Sequence, residues 1–327
     1  MTPKQQRFDP TTIPACKANS KSGRPGGRPP GAPKVRKATA RDWIDGARLR
    51  TLPLGISPVI LGTATAYLLG DGALHWVRAL LCLAVAVGLQ IAVNYANDYS
   101  DGIRGTDDKR VGPARLTGSG MAKPRTVLTV ALVFFGLAAI AGAIVIVLSG
   151  IYWLFAVGAA AIVAGWFYTG GKRPYGYAGL GEVFVFIFFG LVATAGTTFV
   201  QVGTVDLDTW LAGVAIGLIA CAVLMVNNIR DLEQDRLAGK RTLAVRIGDR
   251  PSRIAYSVLL LLPFGMLAYF VLLYFNAGYT WFALLAAVPA VIITLTAKTP
   301  GELIIALRLT TITSLLYAIG LGWAIAF

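Results

Sequence analysis

The chain is poor in cysteine and in acidic residues. Its 327 residues include three cysteines, Cys16, Cys82 and Cys221, with neither CxxC spacing nor an even count, so no disulfide framework or thiolate metal site is expected. Only 16 Asp and Glu stand against 30 Lys and Arg, a formal net charge of +14. No nucleic-acid-binding module accompanies this charge, so no nucleic acid is expected among the partners.

Apolar residues dominate instead, at 56% of the chain. Long uncharged runs are typical of transmembrane helices, so the expected fold class is all-α, a polytopic membrane bundle. Nine transmembrane helices are predicted, at about 53–70, 74–97, 125–148, 151–168, 179–200, 209–228, 254–274, 278–297 and 303–326.

Residues 1–40 differ from the rest of the chain. Pro, Gly, Ser, Lys and Arg dominate there, Asp9 is the single acid, and no apolar stretch typical of a signal peptide occurs. We predict a disordered basic tail over 1–40 and a transmembrane domain over 41–327. The expected partner of the tail is an anionic membrane lipid surface.

Lys and Arg alternate between crowded and almost bare loops. Six lie in 98–125 and seven in 229–253, whereas 201–208 has none and Arg78 is alone near 70–78. By the positive-inside rule, the N-terminus is predicted on the cytoplasmic side of the cell membrane. With an odd number of spans, the C-terminus is predicted outside.

One short polar pattern occurs twice, 130 residues apart, at the ends of apolar runs: NDYSD at 97–101 and NNIRD at 227–231. Each copy sets an amide and a carboxylate four residues apart, so on a helix both project from one face. Such clusters at membrane helix ends are candidate functional sites, because leaving them unpaired is costly. The two stripes comprise Asn94, Asn97, Asp98 and Asp101, and Asn227, Asp231 and Asp235.

These oxygen ligands suit Mg²⁺, which in turn suits phosphate. Facing each other, the stripes would hold two Mg²⁺ ions around a diphosphate, whose roughly three negative charges carboxylates alone would repel. Lys172, at the end of the fourth predicted span, is an expected diphosphate contact or else an interface anchor. Tyr168, at the same end, belongs either to the site or to the interfacial aromatic belt.

Two further ionisable residues lie at or just inside the cytoplasmic ends of predicted spans. Glu182 and Arg308 are expected to face the bundle interior or a wet cavity. The alternative for Arg308 is snorkelling to the lipid headgroups.

Several separated motifs resemble the UbiA superfamily of intramembrane prenyltransferases, whose signature is two NDxxDxxxD motifs on a nine-helix bundle. The resemblance covers about 42–327 and looks most like the MenA branch, the 1,4-dihydroxy-2-naphthoate polyprenyltransferases. Its motifs here are RLRTLP (48–53), NYANDYSD (94–101), GTD (105–107), RVGPAR (110–115), YTGG (168–171) and GKRTLAVRIG (239–248). Gly105 and Asn228 depart from the signature, and Asp107 is a candidate replacement ligand.

The resemblance implies a Mg²⁺-dependent transferase with a central cavity opening to the cytoplasmic side. A polyprenyl group would pass from polyprenyl diphosphate to an aromatic acid, 1,4-dihydroxy-2-naphthoate, with decarboxylation to demethylmenaquinol. The expected metal ligands are Asp98, Asp101, Asp107, Asp231 and Asp235. The expected substrate contacts are Asn94, Asn97, Asn227, Asn228, Arg48, Arg110, Arg115, Tyr168, Lys172, Lys240, Arg241 and Glu182, with Arg308 matched to the acceptor's carboxylate.

Two alternatives stay open. One is a UbiA-type prenyltransferase for another aromatic acceptor, such as 4-hydroxybenzoate. The other, from a different class, is a secondary transporter, in which repeats and midplane charges also occur. The predicted location of the carboxylates at one membrane face favours the enzyme.

Overall fold

The computed structural model describes residues 36–106 and 115–327. The predicted tail therefore lies largely outside the described residues, as do Asp107 and Arg110. Across these two ranges the chain forms helices and no strand, which confirms the all-α prediction.

Helices of 5 to 28 residues account for most of the described chain. In the described ranges they are α1 Ala40–Ala47, α2 Pro53–Leu69, α3 Trp76–Ile103, α4 Pro124–Ser149, α5 Leu154–Phe167, α6 Gly181–Val202, α7 Leu207–Arg230, α8 Leu232–Leu237, α9 Leu243–Ile247, α10 Asp249–Leu273, α11 Phe275–Thr296 and α12 Pro300–Ala326.

Seven of the described helices are long and apolar enough to cross a membrane: α3, α4, α6, α7, α10, α11 and α12. Ala40–Thr51 and Pro53–Leu69, bent by 46° against each other, together make an eighth candidate. Helix α5 is apolar but has 14 residues, about 21 Å against a hydrocarbon core of about 30 Å. The chain is a multi-pass membrane protein, and the count of nine spans stays a prediction.

Helix α7 forms the centre of the bundle, and 72% of its most apolar window is buried. Its buried Ile216 and Val223 belong to the main core. Hydroxyl pairs join other helices where a lipid surrounding offers no water: Thr65 on α2 bonds Thr198 on α6 at 2.8 Å, as expected for membrane helices.

A π-helical turn at Phe186–Val192 interrupts α6. There Gly190 lies against Gly217 of α7, and a Cβ on Gly190 would come within 2.6 Å of the Gly217 Cα. Glycine at these two positions allows the two backbones to touch. Turns of this kind are frequent at functional sites, and Phe188 and Phe189 of this turn line the cavity described below.

Arg78 joins helix ends at the face of the bundle opposite the two motifs. Its guanidinium donates to the carbonyls of Val200 at 3.0 Å, Gln201 at 2.9 Å and Leu148 at 2.7 Å. These carbonyls close α4 and α6, where a cation also offsets the negative end of the helix dipole.

We expect Arg78→Gln to lower the melting temperature of the detergent-purified protein. Three carbonyls lose a charged donor, and hydrogen bonds to charged groups contribute about 1.5–3 kcal/mol each. The exposed Arg125→Gln on α4 is the matched control. Unfolding is followed by tryptophan fluorescence. Equal melting temperatures for the two variants would contradict this role.

Candidate active site

A cavity of about 690 Å³ runs through the bundle between α2, α3, α4, α5, α6 and α7. One end is polar and lies where α3 and α7 end, next to Asp101 and Asp231. The other end is apolar and reaches Cys82, Val145 and Phe155. Cys82 and Asp101 lie about 28 Å apart along α3, at 1.5 Å per residue. The cavity therefore suits a molecule with a charged head and a long apolar chain.

The amides of the first motif are fixed at the polar end. Asn97 accepts a hydrogen bond from the hydroxyl of Thr169 at 2.7 Å, and Asn94 donates to the carbonyl of Ala47 at 3.0 Å. Both line the cavity, as does Asp101. These three residues therefore share one face of α3, as their spacing predicts.

Asp101 lies between two cations and a phenol. Its Oδ2 is 3.1 Å from Arg115 Nη1 and 3.2 Å from Lys240 Nζ, and its Oδ1 accepts from the hydroxyl of Tyr177. Lys240 Nζ also lies 3.9 Å from Asp235. Lys240 therefore connects the carboxylates of the two motifs.

The second motif supplies Asn227, Asp231 and Asp235, and all three line the same cavity. Helix α7 ends at Arg230, but the Asp235 amide still donates to the Asp231 carbonyl at 2.8 Å, which keeps helical spacing across the break. Both oxygens of Asp231 are bonded by Arg230, through Nε at 2.7 Å and Nη2 at 2.6 Å.

Asp98 is placed differently from the other predicted ligands. It is buried and does not line the cavity. Its carboxylate accepts hydrogen bonds from the backbone amides of Leu116 at 2.9 Å and Thr117 at 2.8 Å. This geometry supports the segment that carries Arg115, which contacts Asp101. A ligand role for Asp98 stays a prediction.

The other predicted site residues fall into two groups. Those that line the cavity are Arg48, Arg115, Tyr168, Asn228 and Lys240, and buried Glu182 adjoins them because its Oε1 accepts from Asn228 at 3.0 Å. Those that are exposed and do not line it are Lys172, Arg241 and Arg308. Asp107 and Arg110 lie outside the described residues.

Sequence reasoning missed several residues that the structure brings to the polar end. Arg230 and Thr169 stand inside the motifs NNIRD and YTGG but no role is predicted for either, and Tyr177 lies outside every motif. Gln90, one turn before Asn94 on the same face of α3, lines the cavity and donates to Thr51 at 3.2 Å. Extending the amide stripe by one turn would have found Gln90.

Aromatic rings line the cavity just beyond the polar end. Tyr175 stacks on Phe184 with ring centroids 3.9 Å apart, and Tyr168 meets Tyr175 edge-on at 5.6 Å. Burial raises the pKa of the Tyr177 phenol, and the neighbouring Asp101 adds to the rise. The Tyr177 phenol therefore keeps its proton at neutral pH and donates it to Asp101.

The donor set at the polar end suits a hard divalent cation. Carboxylate and amide oxygens from both motifs share one cavity. No group of three or more His, Cys, Asp or Glu in 36–106 and 115–327 forms a metal cage by itself. Mg²⁺ is commonly held by one or two carboxylates together with waters and substrate phosphates. The residues therefore fit Mg²⁺ that binds together with a phosphate-bearing substrate.

The chain is similar to known proteins. The profile of the UbiA prenyltransferase family matches residues 56–302. The 1,4-dihydroxy-2-naphthoate octaprenyltransferase of Mycobacterium tuberculosis is 48% identical over 304 residues, covering 89% of this chain and 98% of that protein.

Solved structures have the same fold. An apo UbiA homolog from Aeropyrum pernix superposes with a TM-score of 0.62 at 16% identity, over 81% of this chain and 96% of that one. A UbiA homolog from Archaeoglobus fulgidus bound to GPP and Mg²⁺ gives 0.56 at 15% identity, over 86% and 99%.

Proposed function

The chain belongs to the UbiA prenyltransferase family, and on that premise we propose that it transfers a polyprenyl group from polyprenyl diphosphate to 1,4-dihydroxy-2-naphthoate. The observation that carries the proposal is the convergence of both motifs on the polar end of one long apolar cavity. The acceptor is supported by the named activity of the Mycobacterium tuberculosis relative. The product, demethylmenaquinol, belongs to menaquinone biosynthesis.

The donor binds with its diphosphate at the polar end and its chain along the apolar part of the cavity. When bound there, Mg²⁺ offsets the negative charge of the diphosphate as it leaves. Asp101, Asp231 and Asp235 are the proposed carboxylate ligands, directly or through water. Asn97 and Asn227 orient the head group.

Basic side chains of the site hold the diphosphate oxygens. Lys240, Arg115 and Arg48 line the polar end, and Lys240 and Arg115 already contact Asp101. Their charges stabilise the leaving diphosphate in a setting of low dielectric, where such contacts are stronger than in water.

The aromatic rings next to this end lie near the place proposed for the allylic carbon. Tyr175, Phe184 and Phe188 line the cavity there, and Tyr175 and Phe184 stack on each other. Aromatic rings stabilise a nearby cation, and an apolar cavity keeps out the water that would quench it. The electron-rich naphthoate ring then forms the new carbon–carbon bond. Loss of CO₂ and a proton gives the hydroquinone, and diphosphate leaves.

The polar site lies at the ends of α3 and α7, not at their middle. A transporter that alternates access around a site at the membrane midplane would instead have these charges near the middle of its helices. For the membrane orientation we keep the proposal that the N-terminus and both motifs are cytoplasmic and the C-terminus is outside. Single cysteines placed at 104 and 233 and labelled from one side of the membrane test whether the two motifs lie on the same membrane face.

A panel of acceptors tests the proposal. Purified protein, Mg²⁺ and labelled polyprenyl diphosphate are incubated with 1,4-dihydroxy-2-naphthoate, 4-hydroxybenzoate or homogentisate. We expect prenylated product with the naphthoate alone. Product with 4-hydroxybenzoate instead would support prenyl transfer but contradict the proposed acceptor.

Gly196 offers a test of where the prenyl chain lies. It lines the cavity on α6, about 22 Å along the helix from Gly181, and a Cβ added there meets nothing within 4 Å. We expect Gly196→Leu to lower kcat/KM for long polyprenyl donors about tenfold, because filling an occupied space costs about 1–3 kcal/mol. Geranyl diphosphate, with two isoprene units, should react as before.

Gly136→Leu on α4 is the matched control, since a Cβ there also meets nothing within 4 Å and the residue does not line the cavity. Equal losses for long and short donors in Gly196→Leu would reject the proposed path of the chain.

A further inference from the structure

Arg230 does not line the cavity itself but pairs with Asp231, which does. Its guanidinium is almost fully buried and bonds both carboxylate oxygens in a planar fork, at 2.7 Å and 2.6 Å. A fork of this kind matches the lone-pair directions of both oxygens. A cation that binds Asp231 directly therefore competes with Arg230 for the same carboxylate.

The charges around the cavity have the same consequence. Among the described residues that line it, cations and carboxylates are equal in number: Arg48, Arg115 and Lys240, and Asp101, Asp231 and Asp235. Arg230, bound to Asp231, adds one more cation, and Glu182, which adjoins the lining through Asn228, adds one more carboxylate. A divalent ion entering alone would thus meet carboxylates that already have counter-ions. A diphosphate, with about three negative charges, removes this obstacle and gives Arg230 a new acceptor.

We propose that Arg230 is a positioning residue that holds Asp231 until diphosphate arrives and then moves to the diphosphate oxygens. Metal binding at Asp231 thereby depends on diphosphate. This rests on the proposed function, in which Asp231 is a metal ligand. It adds that metal and diphosphate bind synergistically, because each relieves a charge that the other introduces.

The alternative is that Arg230 only stabilises the end of α7. In that case its removal would lower stability and would not strengthen metal binding. Metal affinity without substrate therefore separates the two roles, and it needs no measurement of turnover.

The test measures Mn²⁺ binding to the purified protein by electron paramagnetic resonance of the free ion, with and without inorganic pyrophosphate. Each titration is compared with the same solution without protein, because pyrophosphate itself binds Mn²⁺. For the wild type we expect weak binding of Mn²⁺ alone and much tighter binding with pyrophosphate. Arg230→Gln should tighten binding of Mn²⁺ alone about tenfold or more, the range for loss of a charge-assisted contact. In the same variant, pyrophosphate should increase the affinity for Mn²⁺ by less than it does in the wild type.

Arg236→Gln is the matched control. It removes the same charge six residues further on, from an exposed side chain that pairs with Glu233 at 3.2 Å. Arg230→Lys, which keeps the charge and loses the fork, should tighten Mn²⁺ binding by less than Arg230→Gln. It provides a second reading should the glutamine variant fail to fold.

Two results overturn the inference, and they differ. If Arg230→Gln and Arg230→Lys bind Mn²⁺ no more tightly than Arg236→Gln, while Asp231→Asn weakens binding with pyrophosphate, Arg230 does not mask the ligand. If Asp231→Asn leaves Mn²⁺ binding with pyrophosphate unchanged, Asp231 is not a metal ligand, and the proposed metal arrangement fails as well.

Discussion

Asp231→Asn should reduce prenyl transfer by about 10²- to 10⁴-fold at saturating Mg²⁺ while the bundle stays folded. The loss follows because Asp231 lines the polar end of the cavity and is a proposed ligand of the ion that offsets the leaving charge. Asparagine keeps the size of the side chain and removes its charge. The effect should appear in kcat, since the interaction is strongest in the transition state.

Glu233→Gln provides the control for Asp231→Asn. Glu233 lies two residues further along, is exposed, and pairs with Arg236 outside the cavity, so its turnover should stay near that of the wild type. Wild-type turnover in a folded Asp231→Asn protein, or undiminished wild-type activity in EDTA, would contradict a metal-assisted departure of diphosphate.

Lys240→Gln should have the second largest effect, a fall of up to about 10²-fold in kcat/KM for the donor. Lys240 is buried, touches Asp101 at 3.2 Å and lies over the ring of Tyr177 at 4.7 Å. Its removal leaves Asp101 with less positive charge beside it and takes a contact from the diphosphate. A contact to a charged group contributes about 1.5–3 kcal/mol, which corresponds to a loss of up to about 10²-fold.

Lys172→Gln is the comparison that gives this experiment its meaning. The sequence predicts Lys172 as the diphosphate contact, but in the structure its side chain is exposed and does not line the cavity. Steady-state kinetics with varied donor should therefore give near wild-type values for Lys172→Gln. Equal losses of kcat/KM in both variants would indicate that Lys172 does contact the diphosphate.

The motifs could be found from sequence because their geometry is local. Asn94, Asn97 and Asp101 share one face of a helix by spacing alone, and the structure has them on one cavity wall. The all-α class followed from apolar composition in the same way. Helix α5 shows the limit of composition, because its 14 residues are apolar throughout yet short for a span.

What sequence could not give are contacts made across the fold. Asp98 shares the spacing of the ligands, but its carboxylate faces the backbone of Leu116 and Thr117, 18 and 19 residues away. Lys240 reaches Asp101 because the chain turns back at Gly239, whose φ of 74° favours glycine. Neither direction is fixed by a periodic pattern.

The most direct test of the central claim is a product balance in one reaction. Purified protein, Mg²⁺, labelled polyprenyl diphosphate and 1,4-dihydroxy-2-naphthoate labelled in the carboxyl group are followed for prenylated product, released CO₂ and diphosphate. We predict the three in equal amounts, and about 10²- to 10⁴-fold less of each with Asp231→Asn. Diphosphate release without prenylated naphthoate, or no release with any aromatic acid, would contradict the account.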